Sequence, residues 1–375
     1  MSELKVDKVS PRSGNYVSLN TVGSKNIIIN GDMSIAQRGT SQATSGSAGG
    51  SYQTLDRWKF SINNLGAFTW SQDTDVPSGQ GFATSMKFDC TTADGSPAAS
   101  DYLLFSQRIE GQNLQYIKKG TANAESLTVS FWVKSAKTGT YITELFDNDN
   151  SRQISQSYTI SSANTWEKKT ITFAGDTTGT LDNDNAGSLD LFFWLGAGSD
   201  FSSGTLNTSW NSATTANRAV GQVNLADNTA NNFWITGVQL EAGTTASDFE
   251  FLPYDMNLLR CQRYYQILAE HASDGSTTGS FGTGVYYNAG DVYGAFPTIV
   301  NLRTQPTLNY VSGTNYYVIY RNAAGDFFND FALGVASNSK YVELRISANV
   351  GGTAGDAGFF RTNDASAYIA FDSEL

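Results

Sequence analysis

Histidine is nearly absent from this chain of 375 residues: there is one, His271. That scarcity removes multi-histidine metal sites and most Ser–His triads from consideration. Cysteine is almost as rare. Cys90 and Cys261 fall in different expected modules and read as free buried thiols, as suits a chain made in a reducing cytoplasm. A Cys261–His271 pair would be separated by ten residues of helix, about 1000° of turn and about 15 Å of rise, so the two would face nearly opposite ways. No apolar run is long enough for a bilayer. The most apolar stretch, Leu189 to Leu195, is interrupted by Asp190 and falls far short of the roughly 20 residues of a spanning helix. The opening MSELKVDKVSPRSG carries charge where a signal peptide needs an apolar core, which argues against Sec export. Charged residues make up only 16% of the chain and sum to −11. The tight basic pairs Lys118-Lys119 and Lys168-Lys169 are too short for a phosphate-backbone footprint and read as solvated strand ends. Neither a nucleic-acid partner nor membrane insertion is therefore expected.

What is abundant is glycine (36 residues), together with Ser, Thr, Asn and 13% aromatic residues, the composition of an all-β protein of short strands and many turns. Runs such as LDRWKFSI, GAFTWSQ, YLLFSQRIE, SLTVSFWVKS, TYITELFD, LDLFFWLGAG and NFWITGVQLE recur every ten to twenty residues with turn residues between them. That spacing predicts an antiparallel β-sandwich or jelly roll. In SLTVSFWVKS, Leu127, Val129, Phe131 and Val133 alternate onto one face; in WITGVQLE, Trp234, Thr236, Val238 and Leu240 do the same. Ile27 to Ile29 reads as a buried strand, and residues 41–51 and 198–231 read as surface loops.

Four segments follow. Residues 1–25 form an extended arm too poor in apolar residues to fold alone, and 26–253 the sandwich body. Residues 254–271 form a short linking helix after Pro253, and 272–375 a second small C-terminal β domain with no tryptophan. On the helix, Leu258, Cys261, Tyr265 and Leu268 recur at a and d steps. A seam of about two heptads is marginal alone, so it must be buried against the β domains or against copies of itself.

These residues define an acidic, modular β protein and supply no activity. A resemblance supplies one. NIIINGDMSIAQRGTS followed by YQTLDRWKF resembles the N-terminal signature of phage and prophage tail-fibre or virion structural proteins that contain a carbohydrate-binding-module-like β-sandwich. WITGVQLEAGTTASDFEFLPY is similar to the closing strand and exit segment of that sandwich, and LLRCQRYYQ to the short helix after it. FPTIVNLRTQPTLNY resembles the C-terminal β module of these proteins, and the opening resembles the leading segment of fibres from podovirus-like marine phages. The resemblance implies a homotrimeric virion component, trimerising through 254–271. It would bind phage tail or capsid proteins through residues 1–25 and recognise a host cell-surface polysaccharide. A head-bound capsid fibre is the alternative setting, and a polysaccharide depolymerase a third. It implies no catalytic residue and no cofactor.

Sugar recognition stacks a ring on an aromatic face and fixes its hydroxyls with polar side chains. The aromatics on expected polar faces or in loops are Trp70, Trp132, Trp210, Tyr286, Tyr287 and Tyr317, with Trp210 foremost because Asn207, Asn211 and Asn217 lie near it in sequence. DNDN occurs at 147–150 and 182–185; the second resembles the opening of a calcium loop, but Ala186 and Phe193 replace needed ligands, so hairpin turns are expected instead. Most Asp residues sit beside Gly, Asn or Ser, where turn formation accounts for them, and no enzyme is expected.

Overall fold

The computed structural model describes residues 25–270 and 278–375. Apart from Lys25, the expected attachment arm lies outside the described residues, as does His271. The first module contains β1 (Ser41–Ser51), β2 (Lys59–Asp73), β3 (Ser85–Thr92), β4 (Tyr102–Glu110), β5 (Leu127–Ser135) and β6 (Gly139–Asp147). It continues with β7 (Arg152–Ile160), β8 (Glu167–Phe173), β9 (Gly187–Ala197), β10 (Asn211–Ser212) and β11 (Asn232–Ala242). Every pairing is antiparallel, in the order β10-β7-β6-β9-β4-β2-β3-β11-β5-β8, with β1 beside β2.

One ladder becomes two layers because β2 belongs to both. Lys59 to Asn64 pair with β4 and Ala67 to Asp73 pair with β3, and the strand turns between them at Asn64 (φ 49°) and Gly66 (φ 73°). The inward residues of the layers then meet face to face: Phe193 of β9 lies 5.0 Å from Phe131 of β5, and Tyr141 of β6 lies 5.6 Å from Phe233 of β11. Leu127, Val129, Phe131 and Val133 all enter this core, as their alternation requires. In β11 the alternation breaks. A bulge between Thr236 and Gln239, with Gly237 at φ 62°, turns Val238 and Leu240 inward although Trp234 and Thr236 face out. Phe233 and Ile235, not Trp234, fill the core before the bulge.

Two expected irregular stretches, and one expected strand, differ from the sequence reading. Residues 41–51 form β1, an edge strand that carries almost no apolar side chain and exists because its backbone pairs along β2. Ile27 to Ile29 are not in a strand; Ile27 donates to the Leu240 carbonyl, and Val238 donates to that of Gly31. The NIIING and GVQLE stretches are thus stitched together. Asn26 donates to Val238 O at 3.0 Å and accepts from Ile28 and Leu240. Asn30, at φ 58°, accepts from Ile35 and donates to the Ile35 and Asp56 carbonyls.

A short α1 (Ser199–Ser202) lies after β9, and α2 (Tyr254–Gln262) follows the sandwich. The helix expected over 254–271 stops at Gln262, and Tyr265 to Glu270 form a strand, β12. The a/d spacing therefore does not make a helical seam. Leu258 and Cys261 pack with Tyr264 against Ile29 and Ile35, Tyr265 is buried on β12, and Leu268 packs into the second core. Backbone pairing of β12 with a strand more than a hundred residues later outcompetes two more turns of helix.

The second module begins at β12 (Tyr265–Glu270) and continues through β13 (Ser280–Asn288), β14 (Asp291–Pro297), β15 (Thr307–Tyr310), β16 (Tyr317–Arg321) and β17 (Ala324–Phe328). Its last strands are β18 (Ala332–Leu333), β19 (Tyr341–Ile346), β20 (Ala357–Thr362) and β21 (Tyr368–Asp372). They form a three-stranded sheet, β12-β21-β15, and a seven-stranded one, β17-β16-β20-β13-β14-β19-β18, around Phe296, Tyr317, Phe328, Leu344 and Phe360.

The two modules are joined by buried charge. Arg57 contacts Glu374 and lies 3.4 Å over the Tyr264 ring; Arg38 lies 3.6 Å over Tyr265 and 3.4 Å from both Glu374 and Asp372. Arg263 makes two 2.7 Å hydrogen bonds to Glu110 of β4. Burial pushes the Glu110 carboxyl up, but Arg263 and the Tyr264 hydroxyl outweigh it and hold the group below the usual range.

Candidate functional site

In the layer β2-β4-β9-β6-β7, the side chains not used by the core still include large apolar residues. On β4 these are Tyr102 and Leu104, and on β9 Phe192 and Trp194. Strands apolar on both faces need a cover on each. Here the cover is the segment after β9: Phe201 of α1, Leu206 and Ala219 pack onto Leu104, Ile142 and Trp194. The stretch expected as a decorated loop at 198–231 is thus folded onto the sheet. Register places Ser61, Leu104 and Trp194 side by side on three neighbouring strands, with Tyr102 and Phe192 each two residues along.

The cover is incomplete, and an open groove of about 210 Å³ remains, lined by Ser61, Tyr102, Leu104, Phe192, Trp194, Phe201 and Arg218. Its floor is Leu104 and Trp194, both buried; Tyr102, Phe192 and Phe201 are half-buried and present ring surface. Phe201 meets Tyr102 edge-on at 5.4 Å and Trp194 at 5.4 Å, which fixes all three rings. Beneath them lies Glu144, fully buried, accepting from Trp194 Nε1 at 2.9 Å and from Arg218 Nε at 2.8 and 3.2 Å. Burial raises the Glu144 carboxyl above its ordinary range, against the pull of Arg218. The Arg218 guanidinium lies 5.0 Å from Phe146, 5.1 Å from Phe192 and 5.2 Å from Trp194. Asp190, on the same face, is held by Arg108 at 2.8 and 2.7 Å. Glu144 and Asp190 are thus each occupied by a guanidinium group.

No family model and no curated protein matches the chain. Among solved structures it is similar to the enzymatically active domain of tailspike protein 4 from bacteriophage CBA120, at 15% identity and TM-score 0.30, over 58% of this chain and 21% of that one. The chain thus spans about a fifth of that domain's length. It is also similar to a family 11 carbohydrate-binding module from Clostridium thermocellum in complex with a mixed-linked tetrasaccharide (12% identity, TM-score 0.27, 55% of this chain and 98% of that one). A third is TmCBM61 in complex with β-1,4-galactotriose (12%, TM-score 0.28, 58% and 99%).

None of the six aromatics singled out in the sequence lines this groove. Trp70 is fully buried and stacked on Phe60 at 5.4 Å; Tyr317 is fully buried with its hydroxyl 2.7 Å from the Val311 and Tyr368 carbonyls. Tyr286 is 1% exposed and bonded to Asp326. These three present no face to a ligand, because inward alternation or a buried hydroxyl partner places each ring in a core. Trp132 is half-buried on the outer face of β5, opposite Thr236 and Lys168. Trp210 is half-buried, donates to Ala174 O at 2.8 Å and lies 5.1 Å from Lys119 Nζ. Lys119 is not a solvated strand end. Its ammonium is buried among Asp147, Asp176 (3.0 Å) and the carbonyls of Thr178 and Gly179. Tyr287 alone of the six is open, 76% exposed and edge-on to Tyr293 at 5.6 Å. The sequence did carry a signal for the groove: Tyr102, Leu104, Phe192 and Trp194 fall on the outward phase of strands whose inward phase is already apolar.

Proposed function

We propose that this chain recognises a glycan through the groove on the outer face of β4 and β9. The observation that carries the reading is an opening, on an otherwise covered sheet face, edged by the half-buried rings of Tyr102, Phe192 and Phe201 with Arg218 at its wall. A sugar ring offers an apolar face to such rings and acceptors to the guanidinium. At about 210 Å³ the groove is smaller than the ~300–1,000 Å³ of pockets for drug-sized ligands, which suits a single sugar unit more than a buried chain.

The reading is non-catalytic. Glu144 and Asp190 each serve a guanidinium, so neither is an open acid or nucleophile. The setting is a virion fibre or receptor-binding protein, a homotrimer that attaches through residues 1–25 to a phage tail and meets the host surface, with a head-bound fibre as the alternative. That setting is supported by the resemblance of the NIIINGDMSIAQRGTS and WITGVQLEAGTTASDFEFLPY stretches. The test is binding of the full chain to host-surface polysaccharide by calorimetry. Tyr102→Ala and Phe201→Ala are each expected to weaken binding about tenfold, the size of a lost stacking contact. Unchanged affinity in both variants would reject the groove, and release of reducing ends would reject the non-catalytic reading. Light scattering is expected to give three times 40.4 kDa, and a single-subunit mass would reject the trimer.

A further inference from the structure

We infer that the groove selects a sugar bearing a carboxylate, which is received by the two Nη groups of Arg218; the inference rests on the glycan reading above. The lining contains no Asp, Glu, Asn or Gln: its polar side chains are Arg218, Ser61 and Tyr102. Glu144 is set beneath the surface, with both oxygens already accepting from Trp194 and Arg218. A neutral sugar hydroxyl can bond to the Ser61 and Tyr102 hydroxyls, but Arg218 alone in the lining offers a charged, two-pronged donor. A carboxylate only accepts, and two of its oxygens match the guanidinium fork.

Arg218 is held ready for that role. Only its Nε donates to protein among the described residues, and Nη1 and Nη2 are not among the buried unpartnered atoms, so they reach solvent at the groove. Three rings flank the guanidinium, while the Arg218 backbone donates to Thr215 and accepts from Ser155 Oγ at 2.9 Å. Glu144 offsets the Arg218 charge at Nε, so what selects a carboxylate is the geometry of the two Nη donors and not a net positive field.

The test compares matched probes by saturation-transfer NMR and calorimetry on the full chain at physiological salt: methyl glucuronide with methyl glucoside, and methyl galacturonide with methyl galactoside. At least one acidic member is expected to bind about tenfold or more tightly than its neutral partner. Arg218→Lys should remove most of that preference, since an ammonium lacks the fork, and Tyr102→Ala should weaken both members alike. Arg218→Gln strands the Glu144 carboxylate, so Arg218→Gln/Glu144→Gln, which retains a hydrogen bond without charge, is measured beside it and is expected to show no preference. Equal affinity within both pairs, or a preference that survives in the double variant, overturns the inference. If Tyr102→Ala still weakens binding in that case, glycan recognition stands. Absence of binding to all four probes and to host polysaccharide overturns both.

Discussion

Removing the Glu374 carboxylate tests the joint between the modules. Arg57 and Arg38 have side chains 1% and 4% exposed, and both contact Glu374. In Glu374→Ala, Arg38 keeps Asp372 at 3.4 Å and Asp56 at 3.9 Å, so its charge stays compensated. Arg57 keeps only the Arg108 carbonyl at 2.6 Å and the Tyr264 ring. A buried cation left without its partner costs about 3–5 kcal/mol. With about 2.1 cal/mol/K of unfolding entropy per residue, a single cooperative transition of the whole chain would fall by about 4–6 °C. If the C-terminal module melts separately, the same loss shifts its own, smaller transition by more than twice that. Differential scanning calorimetry at neutral pH distinguishes the two. In Arg57→Met/Glu374→Leu, apolar packing replaces the pair, and stability is expected to return close to the parent value. A loss below about 0.5 kcal/mol in Glu374→Ala, the size of an ordinary surface change, would refute the clamp.

Two further predictions concern the NIIING stretch and the acid side. A Cβ at Gly31 would sit 2.1 Å from the Val238 carbonyl oxygen, so Gly31→Ala is expected to cost about 3 kcal/mol or more. An unshifted urea midpoint would show that this contact does not fix the motif. Burial holds the Asp56 carboxyl up at about 6, against the pull of Arg38, compared with 3.8 unfolded. The folded state therefore binds that proton more tightly, and the resulting stability is full below about pH 4 and lost as pH rises through 6. About two pKa units correspond to about 3 kcal/mol. Glu110, held low, acts oppositely: its contribution is present above pH 4.5 and lost as pH falls. Denaturation of Asp56→Asn between pH 4 and 7 is expected to lack the Asp56 component, and a curve parallel to that of the parent would refute the assignment.

Alternation made some of this molecule legible in advance. Leu127, Val129, Phe131 and Val133 face one core because period 2 is a property of any extended strand. The same rule failed in β11, where Gly237 admits a bulge that reverses the phase, and at residues 41–51, where pairing comes from the backbone of β2 and not from side-chain pattern. Leu258, Cys261, Tyr265 and Leu268 fit a helical spacing, yet β21 claims the last two for a strand, and local spacing cannot report a partner a hundred residues away. Trp70, Tyr286 and Tyr317 turned out enclosed for a related reason. Trp70 and Tyr317 lie in runs rich in polar neighbours, but only the packed layers reveal that their rings point inward.

Composition and periodicity by themselves determined an acidic, antiparallel β chain with little helix, since strand propensity and turn chemistry act over a few residues. Only the tertiary structure decided where a ligand can rest. The groove draws on Ser61, Leu104, Trp194 and Arg218 from four distant stretches, and they become neighbours through strand order and a folded-over segment that no local period encodes.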